Sequence, residues 1–148
     1  MGSVLPLGAR KRILDGTLAP ASHTIKAALL GSGYVPSSAS EFASSFAGHE
    51  LAGTGYVAGF GGSGRKTVTG KAVSVDAGLN VARWTCAVPQ WAAINAGQAR
   101  YVAFVREVTN DADSPILAVC DLGSEVVTDG GPVTITAPAD GWIEWAVP

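Results

Sequence analysis

Apolar positions in this chain come in short runs separated by glycine, proline and small polar residues, and the strongest pair of runs lies between Ala99 and Asp121. Tyr101, Val102, Phe104 and Val105 are β-branched or aromatic. Apolar residues fall on both alternating faces of this run, which predicts a strand covered on both sides. Asn110, Asp111, Asp113, Ser114 and Pro115 are turn formers: Asn and Asp accept backbone bonds through the side chain, and proline fixes φ. Ile116 to Cys120 then returns as the second strand of a hairpin. Two strands are not stable alone in water, so others must pack on them.

The rest of the chain supplies those partners. Thr24 to Leu30 is a strand broken by Gly31, Ser32 and Gly33. Arg65 to Asp76 alternates around Gly70, with Val73 and Val75 expected inward and Ser74 and Asp76 outward. Asn80 to Ala87 places Ala82, Trp84 and Cys86 on one face, and Pro89 takes the chain out of the sheet because it has no N–H for a ladder. Pro132 to Ala137 sets Val133 and Ile135 against Thr134 and Thr136, the pattern of a half-buried strand. Gly141 to Val147 closes the chain, with Trp142 and Trp145 on opposite faces and one of them expected near the surface or in a subunit contact. Helical signal is confined to Ala9–Leu14, stopped by Asp15 and Gly16. Glu41 to His49 fits a short helix or an irregular strand. Gly53 to Tyr56 predicts a bend, Gly59 to Gly64 a flexible loop, and Gly123 to Pro132 a turn-rich segment. Turn signals about every 8–15 residues predict an all-β fold, a single-domain β-sandwich, jelly-roll-like, with one short N-terminal helix. Residues 1–8 are expected as an N-terminal arm and 9–148 as the sandwich domain.

Composition sharpens this. At 148 residues the chain can bury one core without staples. Charged residues make up only 15%, against roughly 25% in an average soluble domain. A largely neutral surface suits a protein held in an assembly. The net charge of −2 argues against a generic nucleic-acid surface. The one basic cluster, Arg10 to Arg12, is expected as a solvated helix end, with contact to an acidic neighbour as the alternative. Cys86 and Cys120 sit in apolar strand patterns and are expected as buried free thiols, with a disulfide between facing strands as the alternative. No apolar run approaches 18 residues, and the first residues lack the apolar core of a secretory signal. The expectation is a protein made in the cytoplasm, with no membrane partner.

No motif names a reaction. Gly59 and Gly64 have the spacing of a phosphate loop, but Arg65 occupies the lysine position and a strand pattern follows where that motif needs a helix. Asn110 to Asp113 resembles the start of a calcium loop, yet the glycine at its sixth and the glutamate at its twelfth position are missing. His23 and His49 have no second ligand at metal spacing and are expected as exposed polar residues. Asp121 and Glu144 read as surface acids rather than a catalytic pair. No catalytic, cofactor-binding or metal-binding residue is assigned, and the chain is not expected to be an enzyme.

A series of landmarks runs through the chain: Ile13 to Gly16, Thr24 to Leu30, Tyr34, Glu50 to Tyr56, Ala99 to Val102, and Ser114 to Leu117. In this order the chain resembles a family of small virion structural proteins of tailed bacteriophages, described as head-associated or capsid cement proteins. The resemblance covers about Ile13 to Trp145. Its landmarks are structural, so it carries over no catalytic residue. The chain departs from it in the glycine-rich loop after Tyr56 and in an acidic turn within the central hairpin. The resemblance implies a decoration protein on the outer surface of the virion head. It would bind the major capsid protein across subunits, with other copies of itself as dimer or trimer, and use no cofactor or nucleic acid. The alternative it leaves is a tail, baseplate or fibre protein, including a carbohydrate-binding sandwich with an exposed Trp. Candidate contact residues are Val4, Leu5 and Leu7 of the arm, Phe60 of the loop, and Trp142 and Trp145.

Overall fold

Eight strands form two antiparallel sheets in the computed structural model, which describes residues 2–146. They are β1 (Ser3–Val4), β2 (Lys26–Leu30), β3 (Lys66–Thr67), β4 (Thr69–Asp76), β5 (Val81–Ala87), β6 (Gly97–Val105), β7 (Ile116–Thr128) and β8 (Ile143–Ala146). One sheet has the order β1-β7-β6-β2-β3 and the other β4-β5-β8. A helix, α1 (Leu7–Leu14), lies near the N-terminus, and a 3-10 helix spans Ala43–His49. The fold is an all-β sandwich with a short N-terminal helix.

The β6–β7 hairpin is the centre, as its two apolar faces predict. Its register sets Val102 against Cys120 and Phe104 against Ala118, and β2 adds Leu29 opposite Val102 and Ala27 opposite Phe104. Those residues form one face, which meets the three-stranded sheet. Phe104 packs edge-on against Trp84 at 5.2 Å and lies 5.1 Å from Trp142. The opposite face carries Ala28, Leu30, Ala103 and Val119, and Phe46 of the 3-10 helix and Tyr34 cover it. A hairpin buried on both faces needs both layers, and burying each large aliphatic or aromatic side chain stabilises by about 1.5–3 kcal/mol.

Cys86 and Cys120 are free thiols in the core between the sheets, and burial pushes both up to about 12. The bend at Gly53–Tyr56 is a tight bridge in which each end donates to the other. Gly55 has φ +79°, and a Cβ there would stand 2.1 Å from the Ala93 carbonyl oxygen, so only glycine fits.

Several expectations are corrected. The arm is not detached: Ser3 and Val4 pair with Cys120 and Val119, Leu5 is buried in the core, and Leu7 already begins α1; Met1 lies outside the described residues. The apolar Val4-Leu5 pair finds its partners on the open edge of β7 and beneath it. Pro132 to Ala137 is not a strand. Val133 and Ile135 are buried, but the backbone makes only a single bridge, to Trp91. The alternation there records which side chains face the core, without a ladder. The turn expected from Gly123 is instead a bulge inside β7, where Asp121 accepts from the Gly123 N–H at 2.7 Å and pairing resumes at Val126. Arg12 is not a solvated helix end: it pairs with Glu41 at 2.7 Å and lies over the Phe42 ring.

Candidate functional site

Two features stand out from the scaffold, one polar and buried, the other apolar and open.

The polar one is centred on Arg65, whose side chain is completely buried. Its guanidinium reaches Glu50 at 2.8 Å, Asp111 at 2.7 Å and Glu107 at 3.2 Å, and stacks over Phe46. Lys26 of β2 reaches Glu107 at 2.6 Å from the other side. Glu50 also accepts from the Tyr56 hydroxyl and the Gly59 N–H, while that hydroxyl accepts from the Leu29 N–H. Burial opposes the charge on Arg65, but hydrogen bonds to Glu50 and Asp111 outweigh it and hold its pKa above the ordinary value. Burial, reinforced by the Glu50 charge, raises the pKa of Tyr56.

This cluster corrects one reading. The Gly59–Gly64 loop is not loose: Gly59 donates to Glu50, Gly61 to Glu107, Gly64 to the Val57 carbonyl, and the Gly64 carbonyl accepts from Trp91. Arg65 is committed to carboxylates, so it offers no free cation to a phosphate. Asp111 is likewise held by Arg65, and Asp113 caps the tip by accepting from the Thr109 and Asn110 N–H groups. The cluster fastens loop, hairpin tip and 3-10 helix into one rigid end.

The apolar feature lies on β4-β5-β8. The register places Val73, Trp84 and Ile143 in one row and Val75, Ala82 and Trp145 in the next, all on the face that meets the five-stranded sheet. Trp84 and Ile143 are buried by that contact. Val73 is 58% exposed, Val75 77% and Trp145 37%. The alternation expected for Val73 and Val75 therefore holds in direction and is corrected in burial: the sheet overhangs the layer that should cover it. Beneath the overhang is a hollow of about 130 Å³, with Leu5, Ile13 and Pro20 on one side and Val73, Ile143 and Trp145 on the other. A second, wider hollow of about 570 Å³ adjoins it through Ala82 and Trp145 and extends to Val75 and Ala77. The opposite face of the sheet is charged. Arg83 pairs with Glu144 at 3.0 Å and Asp76 at 3.2 Å, with Asp140 at 3.9 Å.

The candidate contact residues separate accordingly. Leu5 and Trp145 meet in the hollow, but Leu5 is buried and forms part of its wall. Trp142 is corrected to a core residue: its ring packs on Phe104 and its indole N–H donates to the Cys86 carbonyl at 3.0 Å. Val4 is half-buried in β1. Leu7 is 62% exposed on α1 and Phe60 42% exposed on its loop, and neither lines the hollows. His49 is exposed, while His23 is half-buried and accepts from the Ala19 N–H at 3.0 Å. Asp121 and Glu144 are occupied by different arginines, Arg100 and Arg83. Among the described residues, no cluster of His, Cys, Asp and Glu is placed to hold a metal ion, and no helix is long and apolar enough to cross a membrane.

No family model matches the chain, and comparison with curated proteins and with solved structures also finds no match.

Proposed function

We propose that the protein is a structural, partner-binding module of a tailed-phage virion: a capsid cement protein that attaches across major capsid protein subunits and stabilises the expanded head. The observation that supports this best is the uncovered apolar face of β4, β5 and β8, carried by a domain whose other end is fixed by the Arg65 cluster. Contiguous exposed apolar surface marks a site of interaction. A rigid domain presenting such a face loses little conformational freedom on binding. If it binds only where capsid subunits meet, it stabilises the assembled shell over its separated parts. The sequence landmarks from Ile13 to Trp145 give this partner its identity, by resemblance. The role needs no cofactor and no reaction.

The test is co-sedimentation with expanded phage heads that lack the protein. Wild-type protein is expected to bind. Val73→Ser/Val75→Ser is expected to lose binding while keeping its melting temperature, since both side chains are exposed. Failure of the wild type to bind heads, together with binding to tails, would replace the cement reading with a tail or baseplate role.

A further inference from the structure

The loop between α1 and β2 closes on itself at Ala19–His23. The Ala19 carbonyl accepts from the His23 N–H at 2.8 Å and from the Ser22 N–H at 3.2 Å, and the Ala19 N–H donates to His23 Nδ1 at 3.0 Å. Three side chains tie this loop to the sheets. The Trp84 indole N–H of β5 donates to the Pro20 carbonyl at 3.2 Å, Lys71 of β4 donates to the His23 carbonyl, and Arg106, just past β6, donates to the Thr17 carbonyl at 2.8 Å. Pro20 also lines the hollow of about 130 Å³, so the turn carries part of the wall of the apolar face.

The Nδ1 bond fixes the protonation state that closes the turn. A ring nitrogen that accepts carries no proton, so neutral His23 holds its proton on Nε2, and in the imidazolium both nitrogens are donors. Protonation therefore sets Nδ1–H against the Ala19 N–H and leaves that N–H without an acceptor. It also adds a third cation, because the charges bearing on the ring are Arg106 and Lys71. The acids nearest to these groups in sequence are engaged elsewhere: Asp15 with Lys11 and Thr17, Asp76 with Arg83, and Glu107 with Lys26 and Arg65. Desolvation and the two cations hold the His23 pKa below its ordinary value of 6.5. The segment free to move is short. Leu18 is buried and its N–H donates to the Arg12 carbonyl at 2.9 Å, and Ile25 is buried on the other side, while Ala21 and Ser22 between them are exposed.

We propose that His23 is an acid-sensitive latch: its protonation opens the Ala19–His23 turn and releases Pro20, and with it one wall of the apolar hollow, from Trp84. The latch acts in the isolated protein and stands whatever partner the face meets.

The test is hydrogen exchange followed by NMR on the full chain, each rate divided by its intrinsic rate at the same pH. Protons favour the open turn by the ratio of their binding to the open and closed forms, and with an open-state value near 6.5 that ratio cannot exceed about thirtyfold at about pH 5. Protection of the Ala19 amide and the Trp84 indole N–H is therefore expected to fall about threefold to thirtyfold from about pH 7.5 to about pH 5. The Val102 amide in β6 and the Trp142 indole N–H, which donates to the Cys86 carbonyl, are expected to keep theirs. In His23→Asn the protection at Ala19 and Trp84 is expected to be flat with pH, whatever its level. Arg106→Gln keeps a donor for the Thr17 carbonyl and deletes the charge, so it is expected to move the midpoint of the fall to higher pH. Unchanged protection at Ala19 and Trp84 in the wild type overturns the proposal. An equal fall in His23→Asn, or an unmoved midpoint in Arg106→Gln, overturns it by assigning the effect to another group. An equal fall at Trp142 overturns it by making the change a loosening of the whole core. Ring nitrogen shifts that place the neutral proton on Nδ1 overturn it as well.

Discussion

Replacing Arg65 by methionine tests whether the polar cluster fixes the end of the sandwich that carries the glycine loop. Methionine keeps much of the apolar stem and deletes the charge. Arg65 and Glu50 both have fully buried side chains, so the change leaves the Glu50 carboxylate without its counter-charge and out of reach of water. Glu50 keeps two donors, the Tyr56 hydroxyl and the Gly59 N–H. Glu107 keeps Lys26 and Gly61, while Asp111, with more access to solvent, loses its partner. Removing one member of a buried pair costs about 3–5 kcal/mol, mostly as the penalty on the charge left behind. At about 2–4 °C per kcal/mol, the melting temperature should fall by about 6–20 °C. The double variant Arg65→Met/Glu50→Gln should recover part of this loss, because it removes the stranded charge. Urea denaturation measures both effects. A loss below about 1 kcal/mol in the single variant, or no recovery in the double variant, would refute the view that Arg65 neutralises a buried Glu50.

Two further outcomes follow from the corrected N-terminus and from His23. Deleting residues 1–5 removes β1 and the buried Leu5, so calorimetry should show a loss of at least about 1.5–3 kcal/mol from that side chain alone, and an unchanged melting temperature would mean the segment contributes nothing to the fold. Desolvation, then the charges of Arg106 and Lys71, lowers the pKa of His23, whose Nδ1 accepts from the Ala19 N–H. Its contribution should be complete above the unfolded value near 6.5, decline as pH falls from there toward the lower folded value, and then level off. Urea denaturation of wild type against His23→Asn across that window should show this divergence, and a constant difference would remove His23 from the acid response.

Periodicity made the sheets legible and left the long-range contacts hidden. Tyr101 to Val105 and Ile116 to Cys120 show their two-sided burial in their residues alone, because apolar side chains fill both alternate faces. The parity of Val73 and Val75 was equally readable. Their exposure was not, since it depends on where the opposing sheet stops. The Arg65 cluster left no local trace: Lys26, Glu50 and the Glu107–Asp111 pair come from three separate segments, joined to Arg65 only when β2, the glycine loop and the hairpin tip converge. The signal that existed was an arginine among glycines in a chain with few charges, at a position that invites a phosphate reading. Trp142 and Trp145 are expected on opposite faces of one strand, but β8 starts at Ile143: Trp142, just before it, turns onto Phe104, while Trp145 shares the inner face with Ile143. Which of them faces Phe104 was decided by the packing of the two sheets. Val133 and Ile135 show the reverse error, since alternation reports burial and says nothing about whether a neighbouring backbone is there to pair.

The corrections at the N-terminus and the glycine loop move the proposed attachment from ends to sheet. An arm or loop ordered only by a partner must offset roughly 1–2 kcal/mol of backbone entropy per residue at the moment of binding. Neither segment has that freedom to lose here. Ser3 and Val4 already complete the β7 edge, and Gly59 and Gly61 already donate to buried carboxylates. Leu5, enlisted in the same packing, builds one wall of the hollow beneath Val73 and Trp145. The N-terminal segment thus shapes the surface without reaching across it. What is left open is the inner face of β4, β5 and β8, with its apolar row at Val75, Ala82 and Trp145 and the free edge beside it. Attachment there requires ordering on the partner's side only. The affinity of a rigid face of this kind should depend on how many aliphatic side chains the partner brings to it, so single truncations at Val73 or Val75 should weaken head binding more than loss of exposed Leu7 or Phe60.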